Sequence, residues 1–156
     1  VKVATFHAMR NTPNIKIWNA ALRERTNQAL KDLDVFEVLL VNEEGNITEG
    51  GRTNHFYVKD NVLYTAPLVS VLPGITRQKV IDAAAILNIR VIEKYLHENE
   101  VGSVDEMFTS GTSAGVQPVA VVNGITLPED KTITMHLQHV YNQMVEKEIG
   151  PNNYGW

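Results

Sequence analysis

The run Leu72-Pro73-Gly74-Ile75-Thr76-Arg77-Gln78-Lys79-Val80-Ile81-Asp82-Ala83-Ala84-Ala85-Ile86-Leu87 sets a glycine-containing turn and a hydroxyl in front of the clearest helical pattern in the chain. Apolar residues at Val80, Ile81, Ala84, Ala85 and Leu87 recur with helical spacing, and Arg77, Gln78, Lys79 and Asp82 fill polar positions. An amphipathic helix is expected from Thr76 to Leu87. The segments flanking it are extended. Upstream, Phe56 to Val58 and Val62 to Tyr64 are short apolar runs joined by Lys59-Asp60-Asn61, a hairpin whose second strand ends before Pro67. Downstream, Arg90 to Leu96 and Val104 to Thr109 read as strands, and Val116 to Val122 with Ile125 to Leu127 as a hairpin turning at Asn123-Gly124.

Further out, the opening VKVATF alternates as a short strand, RNTPN reads as a turn, and Ile15 to about Leu33 carries Trp18, Ala21, Leu22, Ala29 and Leu30 at helical spacing. Val35 to Val41 reads as a buried strand, Asn42 to Gly45 as a turn, and the pair Gly50-Gly51 as a sharp redirection. A last helix is expected from Ile133 to about Glu148, before the polar tail GPNNYGW. The fold class is therefore mixed α/β (α+β) with several hairpins. This pattern is less regular than repeated strand-helix-strand crossovers and favours neither a dinucleotide-binding sheet nor a complete eight-unit barrel.

The chain has 156 residues, 44% of them hydrophobic and 21% charged, which suits one domain with a sizeable core. Its 14 Lys+Arg and 18 Asp+Glu give a net charge of -4 spread along the sequence, so neither a nucleic-acid footprint nor an acidic tail stands out. With no cysteine there is no disulfide, thiolate metal site or cysteine nucleophile. No apolar run approaches the ~18 residues of a membrane span, and no secretory signal pattern opens the chain, so a cytoplasmic protein is expected. Val1 is not an ordinary translation start, so a processed product, an incomplete sequence or an excised piece of a longer protein is expected.

No dinucleotide, P-loop, nucleophile-elbow, zinc-protease or EF-hand motif is present. His136 and His139 share a helical face but lack a nearby third ligand, so exposed or capping histidines explain them better than a metal. The turn before Thr76 is either a simple capped helix or an anion site made by free helix N–H groups. Thr109-Ser110-Gly111-Thr112-Ser113 is either a turn or a second oxyanion loop. Lys16 is a solvated charge or an amine for carbonyl chemistry, and Glu49, beside Gly50, is an exposed acid or a carboxylate confined against a ligand.

Taken in order, Asn14-Ile15-Lys16-Ile17-Trp18-Asn19, Asn46-Ile47-Thr48-Glu49-Gly50 with Thr53-Asn54, Leu72-Pro73-Gly74-Ile75-Thr76-Arg77, and Asp105-Glu106-Met107-Phe108 with Ser110-Gly111-Thr112 resemble the class IV, fold type IV pyridoxal-phosphate enzymes. That family includes branched-chain aminotransferases, D-amino-acid aminotransferases and aminodeoxychorismate lyases. The resemblance implies pyridoxal 5'-phosphate as cofactor and the large C-terminal domain of the D-amino-acid aminotransferase-like fold. Residues 15–156 would form the cofactor-binding domain and residues 1–14 the end of an interdomain connection, with the small N-terminal domain absent.

The same resemblance assigns Lys16 as the amine that bonds the cofactor and then moves the substrate proton, and Glu49 as the carboxylate facing the pyridine nitrogen. Leu72 would pack on the ring, Ile75, Thr76 and Thr112 would hold the phosphate, and Ser113 and Ala114 would lie against the substrate carboxylate. Asn54, Arg77 and Tyr64 are expected as local support. The chain departs from the family pattern at Gly115, where an acidic residue is common, at Gln117, where threonine precedes the proline, and at Ala21, where branched-chain enzymes often carry an aromatic residue.

The implied activity of the complete protein is amino-group transfer between a branched-chain or hydrophobic amino acid and a 2-oxo acid, in a homodimer. Lyase chemistry and D-amino-acid transfer are the second and third alternatives. A noncatalytic subunit that retains the cofactor scaffold is the competing class.

Overall fold

A computed structural model describes residues 1–8 and 20–149. Strand β1 (Lys2–His7) is followed by helix α1 (Ala20–Leu33), then by β2 (Glu37–Val41) and β3 (Asn46–Gly50). Next come β4 (Asn54–Lys59), β5 (Val62–Thr65), helix α2 (Ile75–Ile86), β6 (Val91–Glu93) and β7 (Leu96–His97). The chain continues through β8 (Glu106–Gly111), β9 (Gly115–Pro118), β10 (Val121–Val122), β11 (Ile125–Thr126) and helix α3 (Thr132–Ile149).

Among the described residues the strands form two sheets, ordered β11-β10-β1-β2-β3-β7 and β6-β5-β4-β8-β9. The opening residues, expected at the end of a connection, pair in parallel with both β2 and β10 and bury Val3. One core, built on Val3, Leu39, Ile47, Tyr57, Met107 and Val122, holds residues of both sheets. The other combines Phe56, Val58 and Phe108 of the second sheet with Val80 and Ala84 of α2 and Leu137 and Tyr141 of α3. Strand β4 serves both because successive side chains point to opposite faces: Tyr57 joins the first core, Phe56 and Val58 the second. No helix among the described residues is long and apolar enough to cross a membrane.

The hairpins follow local chemistry. Lys59 pairs with Val62, leaving Asp60 and Asn61 as a two-residue loop with φ of 50° and 64°, the backbone such a turn requires. Asn123 and Gly124 repeat it between β10 and β11. Two expected strands break. Arg90 to Leu96 divides into β6, which pairs with β5, and β7, which pairs with β3 in the other sheet. Val116 to Val122 likewise divides after Pro118, which has no N–H for a ladder, so that β9 pairs with β8 and β10 with β1. Strand β8 also extends through Ser110 and Gly111, so most of the expected hydroxyl-rich loop is ladder and only residues 112–114 turn.

Helix α3 starts where it does partly because of a residue far away in sequence. Buried Glu106 on β8 accepts the Thr134 N–H at 2.8 Å and the Ile133 N–H at 3.2 Å, satisfying two amides that have no partner inside the helix. Glu106→Ala is expected to destabilise the chain by about 2 kcal/mol in urea unfolding. A loss below about 0.5 kcal/mol would show that the cap contributes nothing.

Candidate active site

Glu49 is the last but one residue of β3, an alternating strand whose inward positions carry Ile47 and Glu49, so a carboxylate is buried, with 2% exposure, where the pattern otherwise places an aliphatic side chain. Its Oε2 accepts the Leu72 N–H at 3.3 Å. The other side of the same residue is also held, because Asn54 Nδ2 donates to the Leu72 carbonyl at 3.3 Å. Glu49 and Asn54 lie on either side of one turn, so a single hinge between the sheets grips the Leu72 segment by both its N–H and its C=O.

The turn leading into α2 is shaped by glycine. A side chain on Gly74 would meet Asn54 Oδ1 at 2.8 Å, and Thr76 Oγ1 lies 3.8 Å from the same point. Gly74 caps α2 without any side-chain hydrogen bond, so the first-turn amides are not taken up by a capping side chain. Thr76 is buried, whereas the Ile75 side chain is 77% exposed. Arg77, with 4% exposure, turns away into the fold: its Nη2 donates to Glu93 Oε1 at 2.8 Å and to the Ala66 carbonyl at 3.3 Å. Glu93 Oε1 also accepts the Leu68 N–H, so Arg77 anchors the segment before Leu72, the supporting role expected of it.

The third segment arrives through strand pairing. Asn54 stands opposite Ser110, and Gly111 pairs with Gly115 across residues 112–114. A side chain on Gly111 would meet Thr53 Cγ2 at 3.1 Å, so the tip of this hairpin sits against the turn between Glu49 and Asn54. Thr112 and Ser113 are exposed on that tip and Ala114 is half-buried. Gly115 has φ of 63°, which explains glycine where the resemblance has an acidic residue. Gln117, a second departure, donates to the Ala114 carbonyl at 2.8 Å and closes the loop. Glu49, Leu72, Thr76 and the 112–114 hairpin tip thus converge, linked through Asn54 and Thr53. Lys16 lies outside the described residues, as does the rest of the Asn14 to Asn19 motif.

Three polar residues were not singled out as site residues by sequence. Ser110 is buried and its Oγ has no hydrogen-bond partner among the described residues; it was read only as part of a motif. His55 is buried next to Asn54, with both ring nitrogens likewise unpartnered, opposite Thr109, whose hydroxyl is also unpartnered. Burial pushes the His55 pKa down to about 4, and the nearby Ile47 backbone opposes this only in part. Glu37 is buried beneath the Gly50-Gly51 turn. The available signal was an acidic residue inside the apolar run Val35 to Val41. His136 and His139 are both exposed, and no group of three potential metal ligands occurs among the described residues.

Residues 1–122 match the family profile described as amino-transferase class IV. The branched-chain-amino-acid aminotransferase of Escherichia coli strain K12 is 37% identical over 123 residues, covering 77% of this chain and 40% of that protein. The D-alanine aminotransferase of Bacillus licheniformis is 33% identical over 115 residues, covering 73% and 40%. The solved branched-chain amino acid aminotransferase from Escherichia coli superposes with a TM-score of 0.83 at 31% identity, over 100% of this chain and 56% of that one. The chain therefore spans about half or less of these relatives, and its mixed α/β architecture matches the corresponding part of the solved structure. Because the family profile covers most of the chain and includes the Glu49 to Asn54 hinge, the Leu72 turn and the β8–β9 hairpin, this chain belongs to the class IV aminotransferases.

Proposed function

We propose that this chain is the cofactor-binding part of a pyridoxal-phosphate-dependent aminotransferase that moves an amino group between an amino acid and a 2-oxo acid. A branched-chain or other hydrophobic amino acid is the leading substrate, residues 15–156 are the cofactor-binding unit, and the complete protein is a cytoplasmic homodimer. The observation that carries this reading is the buried Glu49 carboxylate at the meeting point of the three motif segments.

The residues present suit this cofactor. A buried carboxylate matches a protonated ring nitrogen, and an α-helix N-terminus without a side-chain cap matches a phosphate. The buried Ser110 hydroxyl, unpartnered among the described residues and opposite Asn54, supplies a further donor. When bound, pyridoxal phosphate supplies a ring that accepts electrons from the bond broken at the substrate Cα. In the proposed roles Glu49 holds the proton at the pyridine nitrogen, because a neighbouring anion favours the charged form. The Ile75 and Thr76 amides hold the phosphate with Thr112, Leu72 covers the ring, and Lys16 Nζ takes and returns the proton at Cα. Ser113 and Ala114 meet the substrate carboxylate through their backbone.

The resemblance to a D-alanine aminotransferase supports D-amino acids as a second reading. Added pyridoxal phosphate is expected to produce a visible absorbance band that survives dialysis and is missing from Lys16→Ala. Identical spectra from the two proteins would overturn the assignment. Bleaching of the band by L-leucine or L-valine supports the branched-chain substrate, and bleaching by D-alanine alone supports the second reading.

A further inference from the structure

The hinge that presents Glu49 and Asn54 turns on two consecutive glycines, and a buried carboxylate beneath it helps to hold it. Close approach favours glycine at position 50, where a side chain would meet Thr53 Oγ1 at 2.2 Å and Glu37 Oε2 at 2.9 Å; the approach at Gly51 is looser, with Glu37 Oε1 at 3.3 Å. Two consecutive glycines leave the backbone many alternatives. Against that freedom, Glu37, 1% exposed on β2, accepts the Val38 N–H at 2.9 Å on Oε1. Its Oε2 accepts the Arg52 N–H at 3.0 Å and the Thr53 hydroxyl at 2.9 Å. The turn is also closed by Gly50 N–H to the Thr53 carbonyl at 2.7 Å and by Gly51 N–H to the Val38 carbonyl at 2.9 Å.

We infer that Glu37 is a positioning residue which, by pinning the Gly50–Thr53 turn, sets the spacing at which Glu49 and Asn54 hold the Leu72 peptide from its two sides. A buried anion is suited to this task because its partners among the described residues are neutral donors fixed in direction, and hydrogen bonds to an ionised acceptor are the stronger kind. Glutamine in its place carries no charge and turns an N–H toward a group that is itself a donor, so either the Val38 contact or the Arg52 and Thr53 contacts are lost, and those that remain are weakened. The role rests on the proposed function only for its consequence in cofactor binding; the mechanical coupling to Leu72 is independent of it.

Native-state hydrogen exchange of the full chain, wild type against Glu37→Gln, tests the coupling. The Arg52 amide and the more distant Leu72 amide are each expected to exchange at least about tenfold faster, while Phe56 and Val80 stay within about twofold. Faster exchange at Arg52 with Leu72 unchanged, or an equal rise at all four amides, overturns the inference: Glu37 would then serve only its own turn or global stability. Should Glu37→Gln not fold, Thr53→Val removes a single donor. It is expected to speed Leu72 exchange about threefold without affecting Val38, and no change at Leu72 overturns the inference.

Pyridoxal phosphate titration supplies the second arm. Glu37→Gln is expected to weaken binding about tenfold in the wild-type background and to have no further effect in Glu49→Gln. Equal losses in both backgrounds overturn the inference. A wild-type chain that does not bind pyridoxal phosphate counts against the proposed function alone, and Leu72 exchange then decides the inference.

Discussion

In the proposed role of Glu49, Glu49→Gln is expected to slow the amino-group half-reaction by about a thousandfold while leaving the fold in place. The magnitude follows from the loss of one preorganised electrostatic stabiliser, which commonly contributes about 10²–10³-fold. Glutamine fills the same volume and its carbonyl can still accept the Leu72 N–H, so the contact at 3.3 Å survives in weakened form. What it cannot do is favour a positive charge on a neighbouring ring nitrogen, because it carries no negative charge. Single-turnover absorbance changes with L-leucine measure the effect on the loaded protein. A loss smaller than about tenfold would remove Glu49 from the proposed role. Urea unfolding of the unloaded chain provides the control for an intact fold.

Acid is expected to destabilise the chain through His55. Its folded pKa of about 4 lies below the ordinary value of 6.5, and the first cause is burial, which disfavours the charged ring. The unfolded chain therefore binds the proton more readily. The contribution is fully retained above pH 6.5, falls as pH drops from 6.5 towards 4, and levels off below that. A difference of this size corresponds to about 3 kcal/mol. The informative quantity is the difference between wild type and His55→Leu. In that variant the pH 4 to 7 slope is expected to flatten by about one proton. Stability at pH 7 is expected to hold or rise, because leucine removes two ring nitrogens that have no partner among the described residues. Parallel pH profiles for the two proteins would exclude His55 as the titrating group.

Neither His55 nor Glu37 carries a local sequence signal of its surroundings. A histidine in Asn54-His55-Phe56-Tyr57 reads as one more strand residue, and its burial against the first sheet depends on which face β4 presents there. Glu37 is separated from Arg52 and Thr53 by 15 and 16 positions, so nothing local in Phe36-Glu37-Val38 announces its partners. The hairpins were legible for the opposite reason: Asp60-Asn61 and Asn123-Gly124 tolerate positive φ whatever surrounds them.

The divided strands show the same limit. Arg90 to Leu96 and Val116 to Val122 each look continuous because apolar and β-branched residues suit either sheet equally. Which sheet takes each half depends on the free edges available at β5, β3, β8 and β1, and those exist only after the rest of the chain has packed.

Local chemistry written in the chain thus settles the helices, the tight turns, the order of the motifs and the class IV resemblance, since each depends on residues a few positions apart. The meeting of Glu49, Leu72, Thr76 and the 112–114 hairpin belongs to the folded molecule. Partly buried hydrogen bonds between Glu37 and the glycine turn, and between Leu72 and both Glu49 and Asn54, are formed across sheets and loops, and shielding from water strengthens them enough to hold a flexible hinge in one arrangement.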